Sequence, residues 1–112
     1  MSNFVYKVRC LVEQDVAEKW IRFFLDEHLQ DVLNTGYFTE CKFFEVETNS
    51  KLTRTFCSEF YYEKEEDLVA YNTHAATALK THTKQMFGDK FSCQRELMTS
   101  LKSIAVSKEV VL

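Results

Sequence analysis

Along the chain, apolar residues first recur every three or four positions in two long segments. Between and around these lie four shorter segments in which aromatic and β-branched residues dominate and alternate with polar ones. The first pattern is that of amphipathic helices and the second that of half-buried strands. Helices are predicted over residues 15–34 and about 63–87, and strands over 4–12, 37–47, 52–62 and 90–98. The order is βαββαβ. The chain has no proline and only two glycines, Gly36 and Gly88, and each falls just after a helical pattern, where a left-handed residue commonly ends a helix.

Asp15 followed by Glu18 has the spacing of a capping box, which predicts the start of the first helix. The acidic run Glu63 to Asp67 suits the positive end of the second helix. Residues 48–51, "TNSK", form a polar connection of ordinary hairpin length between the two middle strands. The order predicts an α+β, ferredoxin-like domain over residues 1–99: a four-stranded antiparallel sheet in spatial order 4-1-3-2 with both helices on one face. The tail, residues 100–112, has no decisive period and is left open as an added edge strand, a short helix or a partner-exchanged arm.

Strand alternation sorts side chains onto two faces. One collects Phe4, Tyr6, Val8, Cys10, Cys41, Phe43, Phe56, Ser58, Phe60, Phe91, Cys93 and Leu97, and should lie beneath the helices. The other mixes Lys7, Arg9, Glu59 and Glu96 with Phe38, Phe44, Tyr61 and Met98. In the expected order Lys7 and Arg9 neighbour the two glutamates. A half-apolar, charge-paired face suits burial against a second copy of itself, so these eight residues are the candidate dimer face and a homodimeric α+β barrel is expected.

The first helix turns Ala17, Trp20, Ile21, Phe24, Leu25, His28 and Val32 to one side. The second does the same with Leu68, Tyr71, Ala75, Ala78, Leu79, His82 and Met86, while His74 falls on the flank. His28 and His82 are thus expected to point at the same sheet face, with Trp20, Tyr6, Tyr71 and Phe24 completing a candidate ligand cleft. A neutral imidazole there can orient a substrate, accept a proton or ligate a metal, and it can equally be a core histidine with satisfied ring nitrogens. No catalytic residue is assigned.

Composition narrows the classes. Hydrophobic residues make up 46% of the 112 positions and charged residues 28%, which is the balance of a folded domain with its own core. Seventeen acidic and fourteen basic residues give a formal charge of −3 without a basic stripe, so nucleic acid is not an expected partner. No apolar run approaches a membrane span and no signal peptide is visible, so no membrane association is expected and the cytoplasm is the expected compartment. Cys10, Cys41, Cys57 and Cys93 lack zinc-ligand spacing and read as buried free thiols; no metal or cofactor is expected.

Two longer stretches, Trp20 to Val46 and His82 to Leu97, resemble the bacterial domain family of unknown function numbered 4286. The resemblance is carried by Trp20, the pair Glu27 and His28, Thr35 and Gly36 with Phe38, and His82 with Phe87, Gly88 and Phe91. One departure is Gln30, where the family often has proline two residues after the first histidine. The resemblance implies a ferredoxin-like fold similar to dimeric α+β-barrel proteins and supplies no reaction. Fold analogy adds three readings: a dimeric module with a cleft for a small apolar or aromatic ligand, a cofactor-independent monooxygenase or haem-binding enzyme, and a structural interaction protein.

Overall fold

Four strands pair into one antiparallel sheet in the computed structural model, which describes residues 2–107. They are β1 (Phe4–Glu13), β2 (Glu40–Val46), β3 (Thr53–Tyr62) and β4 (Phe91–Thr99), in the order β2-β3-β1-β4. This is the order read from the sequence. The central strand β1 places Phe4 opposite Tyr62 and Glu13 opposite Thr53 on one side, and Val5 opposite Met98 on the other. Because residue spacing along a strand is twofold, this register sends Tyr6, Val8, Cys10 and Val12 to one face with Phe56, Ser58 and Phe60.

Both helical regions form on that face, but neither is continuous. The first comprises α1 (Ala17–Phe23), a π-type turn (Phe24–His28) and α2 (Leu29–Asn34). The second comprises α3 (Glu65–His74) and α4 (Ala76–Phe87), separated at Ala75, whose backbone leaves helical geometry at φ −129° and ψ −36°. Gly36 and Gly88 close the two regions at φ 86° and 57°, a left-handed conformation that a Cβ would disfavour.

The capping box does not form. Asp15 lies in a short 3-10 turn (Gln14–Val16), and its carboxylate accepts from Lys90 at 3.0 Å instead. Glu18 accepts from Arg54 at 2.6 Å, and the same guanidinium grips Glu45 with two bonds of 2.8 and 2.7 Å. Arg54 thereby ties α1 to the β2–β3 hairpin, a forked geometry more specific than the usual surface pair.

Two aromatic-rich clusters fill the layer between helices and sheet. One centres on Tyr6, Phe38, Phe60, Tyr62, Leu68 and Tyr71, the other on Trp20, Phe23, Phe24, Phe56 and Phe87. Each such side chain withdrawn from water contributes roughly 1.5–3 kcal/mol before chain entropy is set against it. Phe38 belongs here and not on the outer face: its ring lies 4.8 Å from Tyr71 and 5.4 Å from Phe60. The regular ladder of β2 begins only at Glu40, so strand alternation does not extend back to Phe38. Leu25, expected inside, is 61% exposed, while Phe23 takes an inward position.

The cysteines divide. Cys10 and Cys93 stand directly opposite each other on β1 and β4 with Cα atoms 4.1 Å apart and are joined as a disulfide, contrary to the expectation of four free thiols. Eighty-three residues separate them in sequence, so only the sheet register makes them partners. Cys41 and Cys57 are free. Residues 101–107 form neither helix nor strand, and Leu101, Ile104 and Val106 are exposed; the rest of the tail lies outside the described residues.

Candidate functional site

Between the two clusters the packing leaves a cavity of about 260 Å³. Its floor is the sheet, with Tyr6, Val8 and Cys10 from β1, Ser58 and Phe60 from β3, and Phe91, Cys93 and Arg95 from β4. Its roof is Trp20, Phe24, His28 and Val32 from the first helical region, and Tyr71, Leu79, Lys80, Thr83 and Lys84 from the second. An engineered cavity of about 150 Å³ admits benzene, so this one has room for a ligand of roughly two fused rings.

Five of the six cleft candidates, Trp20, Tyr6, Tyr71, Phe24 and His28, line this space; His82 does not. The break at Ala75 advances the helix phase by about one residue, so α4 turns Ala76, Thr83 and Phe87 inward and leaves His82 exposed. Both imidazoles still lie beside the Phe23 ring, each with its centroid 5.5 Å away. Among the described residues no group of three or more His, Cys, Asp and Glu side chains could hold a metal ion.

Two polar atoms give the cavity its chemistry. Trp20 Nε1 and His28 Nδ1 are both buried and have no hydrogen-bond partner among the described residues. An N–H left unpaired in an apolar setting costs about 1–3 kcal/mol, so an otherwise well-packed layer carries two unsatisfied groups in one place. Burial pulls the His28 pKa from 6.5 down to about 4, with Asp31 opposing the shift and His82 adding to it. The ring is therefore neutral at physiological pH, with one nitrogen free to accept. It is held against Phe24, centroid to centroid 4.5 Å, by the π-type turn, a local widening that often marks functional positions in helices.

The other lining groups are fixed. Burial, reinforced by Tyr6, pushes the Tyr71 phenol up to about 12, so it stays protonated. Tyr6 Oη accepts from Arg95 Nε at 2.8 Å. Arg95, Lys80 and Lys84 were not among the sequence candidates. Strand parity alone places Arg95 with Phe91, Cys93 and Leu97 on the helix side, whereas the two lysines reach the cavity only through the helix break.

The outer face carries Lys7, Arg9, Phe44, Glu59, Tyr61, Glu96 and Met98, the dimer candidates other than Phe38. Lys7 lies between Glu59 and Glu96 and approaches Glu96 to 4.0 Å. Arg9 is opposite Cys57 and Gln94, so it has no glutamate neighbour in register, and Glu59 instead accepts from the Tyr61 hydroxyl. Phe44 is 45% exposed on this face.

Strand order and helix placement together define a ferredoxin-like α+β domain. The chain belongs to the family described as Domain of unknown function (DUF4286), whose model matches residues 3–101. No curated protein matches it in sequence. Among solved structures it is similar to a monooxygenase from the gene ActVA-Orf6 of Streptomyces coelicolor in complex with nanaomycin D, at 14% identity and a TM-score of 0.68, covering 95% of this chain and 94% of that one. SnoaB, a cofactor-independent oxygenase from Streptomyces nogalater, is similar at 8% identity and a TM-score of 0.67, covering 92% and 98%. A dimeric ferredoxin-like protein from an uncultured marine organism is similar at 11% identity and a TM-score of 0.69, covering 92% and 99%. At these identities the likeness is one of fold. No helix among the described residues is long and apolar enough to cross a membrane.

Proposed function

We propose that this chain is a homodimeric α+β-barrel protein that binds a small aromatic molecule in the cavity between its helices and its sheet. One observation carries the reading: among the described residues Trp20 Nε1 and His28 Nδ1 have no hydrogen-bond partner in the same apolar layer, a donor and a potential acceptor at a ligand-sized space. A hydroxylated ring would satisfy both, its O–H donating to His28 Nδ1 and its oxygen accepting from Trp20 Nε1. Trp20 is the sole tryptophan, so its fluorescence reports the cavity directly. Titration with 2-naphthol should quench it saturably, and Ser58→Leu, which adds bulk to the floor, should abolish the quenching. An unchanged Trp20 signal across the titration would remove the reading.

A second reading is a cofactor-independent oxygenase, favoured by the neutral His28, which can take a proton from a bound phenol or enol. The fold of SnoaB and of the nanaomycin complex supports the analogy. A haem ligand is not favoured: four pyrrole rings need far more space than about 260 Å³. The interaction-protein reading is less favoured because a ligand-sized space remains between the two clusters.

The dimer rests on the outer face. A second copy would cover Phe44, Tyr61 and Met98, and a neighbour of the same fold is described as dimeric. Light scattering at micromolar concentration should give twice 13.2 kDa, and Phe44→Glu should return the mass to 13.2 kDa. A wild-type monomer would refute the assembly. The cytoplasm remains the proposed compartment, where the Cys10–Cys93 bridge would be under reducing pressure.

A further inference from the structure

The cavity is apolar inside but opens between α4 and the edge strand β4, where Lys80 and Arg95 both line it. The same two residues line a shallow groove that continues outward along Leu68 and Leu97. Among the described residues neither cation has a carboxylate within ion-pair distance, whereas their neighbour Lys84 is held by Asp89 at 2.7 Å. In a chain of net charge −3, two unpaired cations beside one opening do not reflect a generally basic surface.

Their electrostatics agree with an unmet demand for negative charge. The Lys80 ammonium is pulled below its ordinary pKa by desolvation and by the neighbouring Arg95 charge. Arg95 spends Nε on Tyr6 Oη, which orients the guanidinium and leaves its two terminal nitrogens without partners among the described residues. A planar fork so held matches a carboxylate better than a single ammonium does.

We infer that the ligand is a hydroxylated aromatic carboxylate, its rings in the cavity with the hydroxyl at Trp20 and His28 and its acid group at the mouth between Lys80 and Arg95. The inference rests on the proposed ligand cavity and adds the charge of the ligand. A hydrogen bond to a charged group is stronger than a neutral one by enough to change affinity about tenfold.

The test compares 6-hydroxy-2-naphthoate, ionised at neutral pH, with 2-naphthol, which lacks only the carboxylate, by Trp20 fluorescence. Naphthoate should bind about tenfold more tightly. Lys80→Met and Arg95→Met should each lower naphthoate affinity far more than naphthol affinity, removing most of that advantage, while an unchanged far-ultraviolet circular dichroism spectrum shows that the variants fold. Equal affinity for the two probes in the wild-type protein, or naphthoate binding unaffected by both substitutions, would overturn the carboxylate site and leave the cavity standing. Quenching by neither probe would overturn the cavity and the carboxylate site together.

Discussion

Trp20→Ala should destabilise the domain by roughly 3–5 kcal/mol, the range for truncating a large aromatic in a close-packed core. The indole is 1% exposed and packs against Phe24, Phe87 and Phe91 with centroids 4.7, 4.9 and 5.0 Å away. It joins α1 to the end of α4 and to the edge strand, so its removal loosens three elements together. The space it leaves would merge with the existing cavity, which makes collapse harder and places the loss toward the upper end. Urea unfolding followed by circular dichroism measures it, because the variant lacks the fluorescent reporter. Leu25→Ala, at a position 61% exposed, should change stability by less than about 0.5 kcal/mol. Trp20→Phe should lose much less than alanine, since it keeps most of the packing and deletes an unpaired donor. A loss below about 1 kcal/mol for the alanine variant would mean that the indole is not a core residue.

Between pH 6.5 and about 4 the protein should lose up to about 3 kcal/mol of stability through His28 alone. In the unfolded chain the imidazole takes a proton near its ordinary pKa of 6.5; in the folded chain burial delays protonation until about pH 4. Across that window the unfolded state binds more protons, so stability is full above pH 6.5, falls as the solution is acidified, and levels off below about pH 4. The carboxylates held low by cation partners, Glu45 by Arg54 and Asp89 by Lys84, begin to lose their contributions at the acid end of this window, and they do so equally in the wild type and in a His28 variant. Urea midpoints taken from pH 7.5 to 4 should therefore slope in the wild type and flatten in His28→Phe. Parallel slopes for the two proteins would show that His28 is not buried as a neutral base.

The same ring shows how far local pattern reaches. Helical spacing placed His28 on the inward side of its helix, and it does line the cavity, but by way of a π-type turn that the residues 24–28 do not announce. A widened turn is stable only if the packing of Phe23, Phe24 and Val32 on both sides of it holds, and packing is not a property of a short window. His82 failed for a related reason. Its periodic stripe is continuous in sequence, but the backbone break at Ala75 rotates everything after it by about a residue, and the stripe that follows carries Thr83 and Phe87 inward.

Local patterns in the chain account for the element order, the helix ends at Gly36 and Gly88, and the two faces of β1 and β3, and connection rules then give the strand order. The local patterns follow from rules acting within a few residues: twofold alternation, helical spacing and glycine's access to positive φ. Tertiary structure alone decided which cysteines meet, that Phe38 turns inward before its strand begins, and that Lys80 and Arg95 share the mouth of a cavity. Each of those depends on the register and phase of elements far apart in the chain. Such positions are set by how whole surfaces pack, and no local pattern records them.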